Sequence, residues 1–182
     1  IIRHFVKEHD SSSATMPPLG MANADGQIHF YTTNDEKANC LNEYFASIST
    51  VNDENVTLPN LSFKTQDKLS DITFTSKEIE NIIINLNVKK ACGPDLISHK
   101  RLKECAHAIS RPLHILFSRS LNEGSFPDSW KIAQVTPIFK KGDKSLPSNY
   151  RPVSLLSCCG KLFERIIFKH TYNYLLKNNL LY

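Results

Sequence analysis

The sequence predicts an α+β fold, mostly helical in its N-terminal part and built around a β-hairpin further on. Three observations carry this. Thr33 to Glu36 and Thr75 to Glu78 have capping-box spacing, and each is followed by apolar residues at helical intervals. Two runs rich in β-formers, 132–139 and 149–156, flank the turn sequence Lys140-Lys141-Gly142-Asp143-Lys144. Charge is also divided. Residues 1–88 hold 6 Lys and Arg against 12 Asp and Glu, whereas residues 89–182 hold 16 against 6.

Taken in order, residues 1–9 read as the end of a helix whose start is missing. Residues 11–26, rich in Ser, Pro, Gly and Asn, read as a linker. A short strand is expected at 27–31. In the first capped helix Ala38, Leu41, Tyr44, Phe45 and Ile48 fall on one face. Residues 51–74 show little periodicity and read as loop. In the second helix Ile79, Ile82, Ile83 and Leu86 make the apolar side. Gly93-Pro94-Asp95 breaks the chain after Lys89 and Lys90. A helix follows over 98–108. Ser110 then caps another, with Pro112 in its first turn, and Gly124 ends it. Residues 159–178 read as one long helix, with Leu162, Phe163, Ile166 and Ile167 towards one side.

Composition excludes several classes. No apolar run approaches the roughly 20 residues that cross a bilayer, and the charged N-terminal stretch IIRHFVKEHD is no secretory signal. The five cysteines lack C-x-x-C spacing and the seven histidines lack H-x-x-x-H spacing. They read as reduced thiols of an intracellular protein and as ordinary histidines, with no metal site. The carboxylates of the acidic half sit on helix starts and polar faces, without a catalytic constellation.

The basic half points to a polyanion, with solvated surface lysines as the alternative reading. Lys140 ends the first strand and Arg151 opens the second. A lysine supplies a compact charge and an arginine a fork for phosphate oxygens. If the hairpin register allows, the two converge on one triphosphate, with Lys141 in support. Apolar neighbours around Arg151 imply that it needs a partner. Lys161, Arg165 and Lys169 recur at i, i+4, i+8, so they run beside a phosphate backbone or face solvent. Lys89 and Lys90 join them as candidate nucleic-acid contacts. Phe139 and Tyr150 read as packing residues.

Several ordered blocks carry a resemblance. They are Trp130, Pro137-Ile138-Phe139-Lys140-Lys141-Gly142-Asp143, Asn149-Tyr150-Arg151-Pro152-Val153-Ser154-Leu155-Leu156 and Lys161-Leu162-Phe163-Glu164, preceded by the KKACGPDLI stretch from Lys89. Together they resemble the fingers region of reverse transcriptases from non-LTR (LINE-type) retrotransposons, especially jockey-like elements. The resemblance implies an acidic, mostly helical connector over 1–88. Over 89–182 it implies the N-terminal, fingers part of a right-hand polymerase, ending before the palm. Lys140 and Arg151 match the fingers residues that contact the triphosphate. The family's catalytic aspartates lie in the palm, downstream of the KLFE helix, and this sequence has no Asp-Asp pair.

The function implied is therefore part of an RNA-directed DNA polymerase that is inactive alone. No cofactor is implied within the chain, and Mg2+ is implied for the complete polymerase. The implied partners are an RNA template, a DNA primer, a deoxynucleoside triphosphate and the palm domain, with no membrane. The compartment, nucleus or cytoplasm, stays open. Two other readings remain: a non-catalytic nucleic-acid-binding remnant of a decayed or co-opted element, and a fragment with no stable fold of its own. One departure is local. Relatives often have glycine where this chain has Leu96, so easy access to positive φ is lost there.

Overall fold

The computed structural model describes residues 4–6 (backbone only), 16–23, 25–50, 54, 56–57, 64–69 and 71–181. Helices and strands are mixed, as an α+β fold requires. They gather into two compact units, each made of two chain segments. One unit joins Ile1–Asn55 to Ile132–Leu155, and the other joins Val56–Lys131 to Leu156–Tyr182. Packing thus divides the chain differently from charge, which changes sign at residue 88.

The first unit contains strand β1 (His4–Val6), strand β2 (Leu19–Ala22), strand β3 (Ile28–Tyr31), helix α1 (Asn34–Ser47), strand β4 (Ala133–Phe139) and most of strand β5 (Tyr150–Leu156). β1, β4 and β5 form one sheet in the order β1-β4-β5, and β2 pairs with β3 in a separate antiparallel ribbon. β1 runs parallel to β4, with His4 opposite Ala133 and Val6 opposite Val135. This corrects the helix expected over 1–9, whose remaining residues lie outside the described ones. His-Phe-Val is a β-forming tripeptide beside an open strand edge.

β2 lies inside the segment read as linker, because pairing with β3 satisfies its backbone and Leu19 is fully buried. The N-terminal part therefore contributes strands as well as helices. α1 starts where expected. Thr33 Oγ1 accepts from the Glu36 amide, and the Glu36 carboxylate accepts from the Thr33 amide at 3.0 Å. The Thr33 amide, and then the Thr32 amide, which donates to the same carboxylate at 3.0 Å, hold the Glu36 carboxyl below its ordinary value. Leu41, Phe45, Leu19, Val135 and Tyr150 close the core of this unit. Ile48 lies 56 % exposed, outside that face.

The second unit contains α2 (Ser76–Ile84), α3 (His99–Glu104), α4 (Ala106–Asn122) and α5 (Cys158–Lys177). Its core includes Ile79, Ile83, Phe117, Leu162, Phe163 and Ile166, and the Phe117 and Phe163 rings stack at 4.9 Å. Thr75 caps α2 by accepting from the Glu78 amide at 3.1 Å. The reciprocal half of that box does not form, because the Glu78 side chain pairs with Lys169 on α5.

The helix expected over 98–108 stops at Glu104. α4 starts at Ala106 instead of at a Ser110 cap, so Pro112 is interior. Proline there leaves the Ala108 carbonyl without its helical donor, at a cost of about 3 kcal/mol. Burial of Leu113 and Phe117 on the same helix returns about 1.5–3 kcal/mol each, which outweighs it. Gly124, at φ +60°, ends α4 as expected.

Candidate functional site

The hairpin register, open in the sequence, is fixed by one bond. The Lys140 amide donates to the Asn149 carbonyl at 2.8 Å. With 140 opposite 149, Phe139 stands opposite Tyr150, and their rings meet edge-on at 5.5 Å. Strand alternation then separates two faces. Val135, Phe139 and Tyr150 belong to the core side. Lys140 and Arg151 share the other side as diagonal neighbours, a separation of about 7–8 Å in such ladders. Both are exposed, and among the described residues neither forms an ion pair. The partner expected for Arg151 is not needed: its apolar sequence neighbours do not desolvate it.

The connecting loop is ordered by its own polar groups. Asp143 Oδ1 accepts from the Ser145 amide at 2.8 Å, and Asn149 Nδ2 donates to the Asp143 carbonyl at 2.8 Å. The Tyr150 hydroxyl donates to the Lys144 carbonyl at 2.8 Å, and the Gly20 amide on β2 donates to the Ser145 carbonyl at 2.8 Å. The Ser145 amide holds the Asp143 carboxyl below its usual range. Burial, and then the charge of Asp143, raises the Tyr150 phenol, which keeps its proton and its donor role. Lys141 and Lys144 are exposed on this loop, and Lys144 Nζ lies 5.6 Å from the Phe139 ring centroid.

Asn149 and Tyr150 stand in the sequence beside Arg151, but no local pattern says that they clamp a loop. Gly20 carries no signal at all, because its contribution is a main-chain amide brought from a distant segment.

The remaining candidates belong to the second unit. Lys89 and Lys90 are exposed in the turn after α2, where the Asn87 side chain accepts from the Lys89 amide. Of the α5 cations, Lys161 is half-buried and Arg165 is exposed. Lys169 Nζ meets Glu78 Oε1 at 2.6 Å, so its charge has a partner within the unit. Arg165 and Lys169 line an open groove of about 520 Å³ together with Lys77, Glu78 and Asn81 of α2. Among the described residues, no three His, Cys, Asp or Glu side chains gather to hold a metal ion. All five cysteines are free thiols, and burial pushes Cys159 up to about 11.

No protein-family model matches the chain. It is 36 % identical over 94 residues, 51 % of its length, to the RNA-directed DNA polymerase from mobile element jockey of Drosophila melanogaster. It is 31 % identical over 140 residues, 73 % of its length, to the probable RNA-directed DNA polymerase from transposon BS of the same fly. It is 34 % identical over 94 residues, 50 % of its length, to the retrovirus-related Pol polyprotein from type-1 retrotransposable element R1 of Bradysia coprophila. The matched segments span 10 %, 16 % and 9 % of those three proteins.

Proposed function

We propose that this chain, a homologue of the RNA-directed DNA polymerases of non-LTR retrotransposons, is the part of such an enzyme that meets the incoming triphosphate and the template. Residues 89–182 are the N-terminal part of its fingers, and residues 1–88 are the connector before them. Lys140 and Arg151 bind the triphosphate, with Lys141 in support. Lys89, Lys90, Lys161 and Arg165 follow the template backbone, and Lys169 contributes what its pairing with Glu78 leaves.

One observation carries the reading. The bond from Lys140 to Asn149 sets a register in which a lysine and an arginine share the exposed face of a hairpin, both without an ion pair among the described residues. A point charge and a bidentate fork beside each other suit vicinal phosphate oxygens. Mg2+ belongs to the reading of the complete polymerase only. Among the described residues no three His, Cys, Asp or Glu side chains gather to hold it. With no Asp-Asp pair in the sequence, residues 1–182 alone extend no primer.

The test is kinetic. In the polymerase that carries these residues, Arg151→Ala raises KM for nucleotide about tenfold or more, as loss of charge-assisted hydrogen bonds does, while primer–template affinity holds. An unchanged KM sinks the assignment. Equal losses in both would move Arg151 to the template.

A further inference from the structure

Helix α5 carries an exposed ridge. Arg165, Phe168, Tyr172 and Leu176 follow one another at intervals of three or four residues, so they line one face, and all four are exposed. Phe168 is 64 % exposed and Tyr172 41 %, and their rings stack on each other at 5.3 Å, 19° from parallel. Single apolar residues are ordinary on a surface, whereas a contiguous aromatic pair marks a contact site. Beside this ridge runs the groove of about 520 Å³ between α2 and α5. Across it α2 presents Lys77, Asn81 and Asn85, one turn apart. Lys77 pairs with Glu80, and Lys169 with Glu78, the carboxylate of the groove. Arg165 borders both groove and ridge. Among the described residues neither Arg165 nor the Asn81 side chain has an ion pair or a hydrogen bond. Glu164 is exposed at the border of the ridge away from the groove.

We infer that α2 and α5 together form a single-stranded polynucleotide site, with the phosphodiester chain in the groove and bases stacked on Phe168 and Tyr172. Free donors in a groove suit phosphate oxygens, and exposed rings suit the faces of unpaired bases. A purely apolar protein surface would fit the rings but not the donors beside them. This rests on the template-backbone reading of Lys161 and Arg165 and extends it from phosphates to bases. Rings do not read base edges, so the site tolerates any sequence. Lys77 and Asn81, on a helix of the acidic half, then share in the contact.

Fluorescence anisotropy of labelled oligonucleotides with the 182-residue chain decides it. Single-stranded oligouridylate binds more tightly than an abasic strand of the same length and charge. Phe168→Leu keeps an exposed apolar side chain and removes the ring. It weakens oligouridylate binding about fivefold or more, the low end of base–aromatic stacking, at unchanged salt dependence. Phe168→Tyr, which restores a ring, restores the affinity. Arg165→Ala instead flattens the salt dependence, by about 0.7 in logarithmic slope for one phosphate contact. If Arg165→Ala acts in this way while Phe168→Leu binds as the parent does and the abasic strand binds as oligouridylate does, the inference falls and the backbone reading stands. If no strand binds, both fall. If Phe168→Leu loosens self-association in sedimentation and leaves strand binding intact, the ridge is a protein interface and the polynucleotide assignment is overturned.

Discussion

Two turns in this chain look alike on paper and are built on opposite plans. Gly93-Pro94-Asp95-Leu96, in the second unit, packs backbone against backbone at its first residue: a Cβ on Gly93 would lie 2.6 Å from the Leu156 carbonyl carbon and 2.7 Å from the Ser157 amide nitrogen. Lys140 to Asn149, in the first unit, is held by a side-chain amide, a phenol and one distant main-chain amide. Gly93 is buried there, with no room for a side chain. The second is tied down at the carbonyls of Asp143, Lys144 and Ser145 and leaves Lys140, Lys141 and Lys144 exposed. Glycine and polar residues alone do not distinguish a structural turn from a receptive one; what distinguishes them is what the glycine backbone packs against and which charges stay exposed.

Gly93→Ala is the strongest way to break that contrast. Its methyl would meet immovable backbone rather than a flexible side chain, so the cost falls at or above the top of the about 1–3 kcal/mol usual for overpacking. Thermal unfolding reads it, and thiol labelling localises it. Cys158 and Cys159 follow directly on Ser157 and are buried, whereas Cys105 is exposed. In the parent, Cys105 labels at neutral pH and Cys159 does not. In Gly93→Ala, Cys159 labels as well. If stability and labelling are both unchanged, the close approach is not what holds this turn.

The parent thiol makes a pH test. A Cys159 held up to about 11 when folded, against an ordinary thiol value of 9.0, favours the folded state below pH 9. That contribution is lost between pH 9 and 11, at about 1.4 kcal/mol per unit.

Gly142→Ala acts on the other turn and costs less. A positive φ charges an L side chain about 1–2 kcal/mol. Its Cβ would lie 2.9 Å from Asn149 Nδ2, a group able to move, at the expense of the bond to the Asp143 carbonyl. Melting falls slightly, and inorganic tripolyphosphate, a probe for the triphosphate reading of Lys140 and Arg151, binds more weakly than the loss of stability explains. A loss in melting with full binding would make Gly142 a purely structural glycine.

The sequence made the local devices legible. The Thr33–Glu36 box, the Gly124 stop and the hairpin around KKGDK are decided within a few residues and form as read. What depends on distant segments was not legible. β1 exists because β4 offers it an edge, and β2 because β3 does. Pro112 stays in α4 because the core side of that helix outweighs its defect. The candidate site divides the same way. The placement of Lys140 and Arg151 on one strand face follows from a register set by the bond between Lys140 and Asn149, which the residue pattern alone leaves open. The regular spacing of Lys161, Arg165 and Lys169 could not say that Glu78, 91 residues away from Lys169, takes one of the three charges.

Leu96 gives the smallest effect and the sharpest reading of the first turn. Loss of glycine here suggested that the turn would change, yet Leu96 keeps φ at +57°. Its neighbours hold it there: its amide donates to the Gly93 carbonyl at 3.1 Å, and its carbonyl accepts from Arg101 at 2.8 Å. The side chain is 66 % exposed and brings little burial in return. Left-handed backbone costs a non-glycine residue about 1–2 kcal/mol, and glycine costs about 0.5–1 kcal/mol more in unfolded-state entropy. Leu96→Gly therefore stabilises the chain by a net amount on the order of 0.5 kcal/mol, seen as a small rise in the denaturant midpoint at unchanged slope. A fall in the midpoint would mean that the leucine side chain contributes more than its exposure implies, and that the strain is compensated rather than stored.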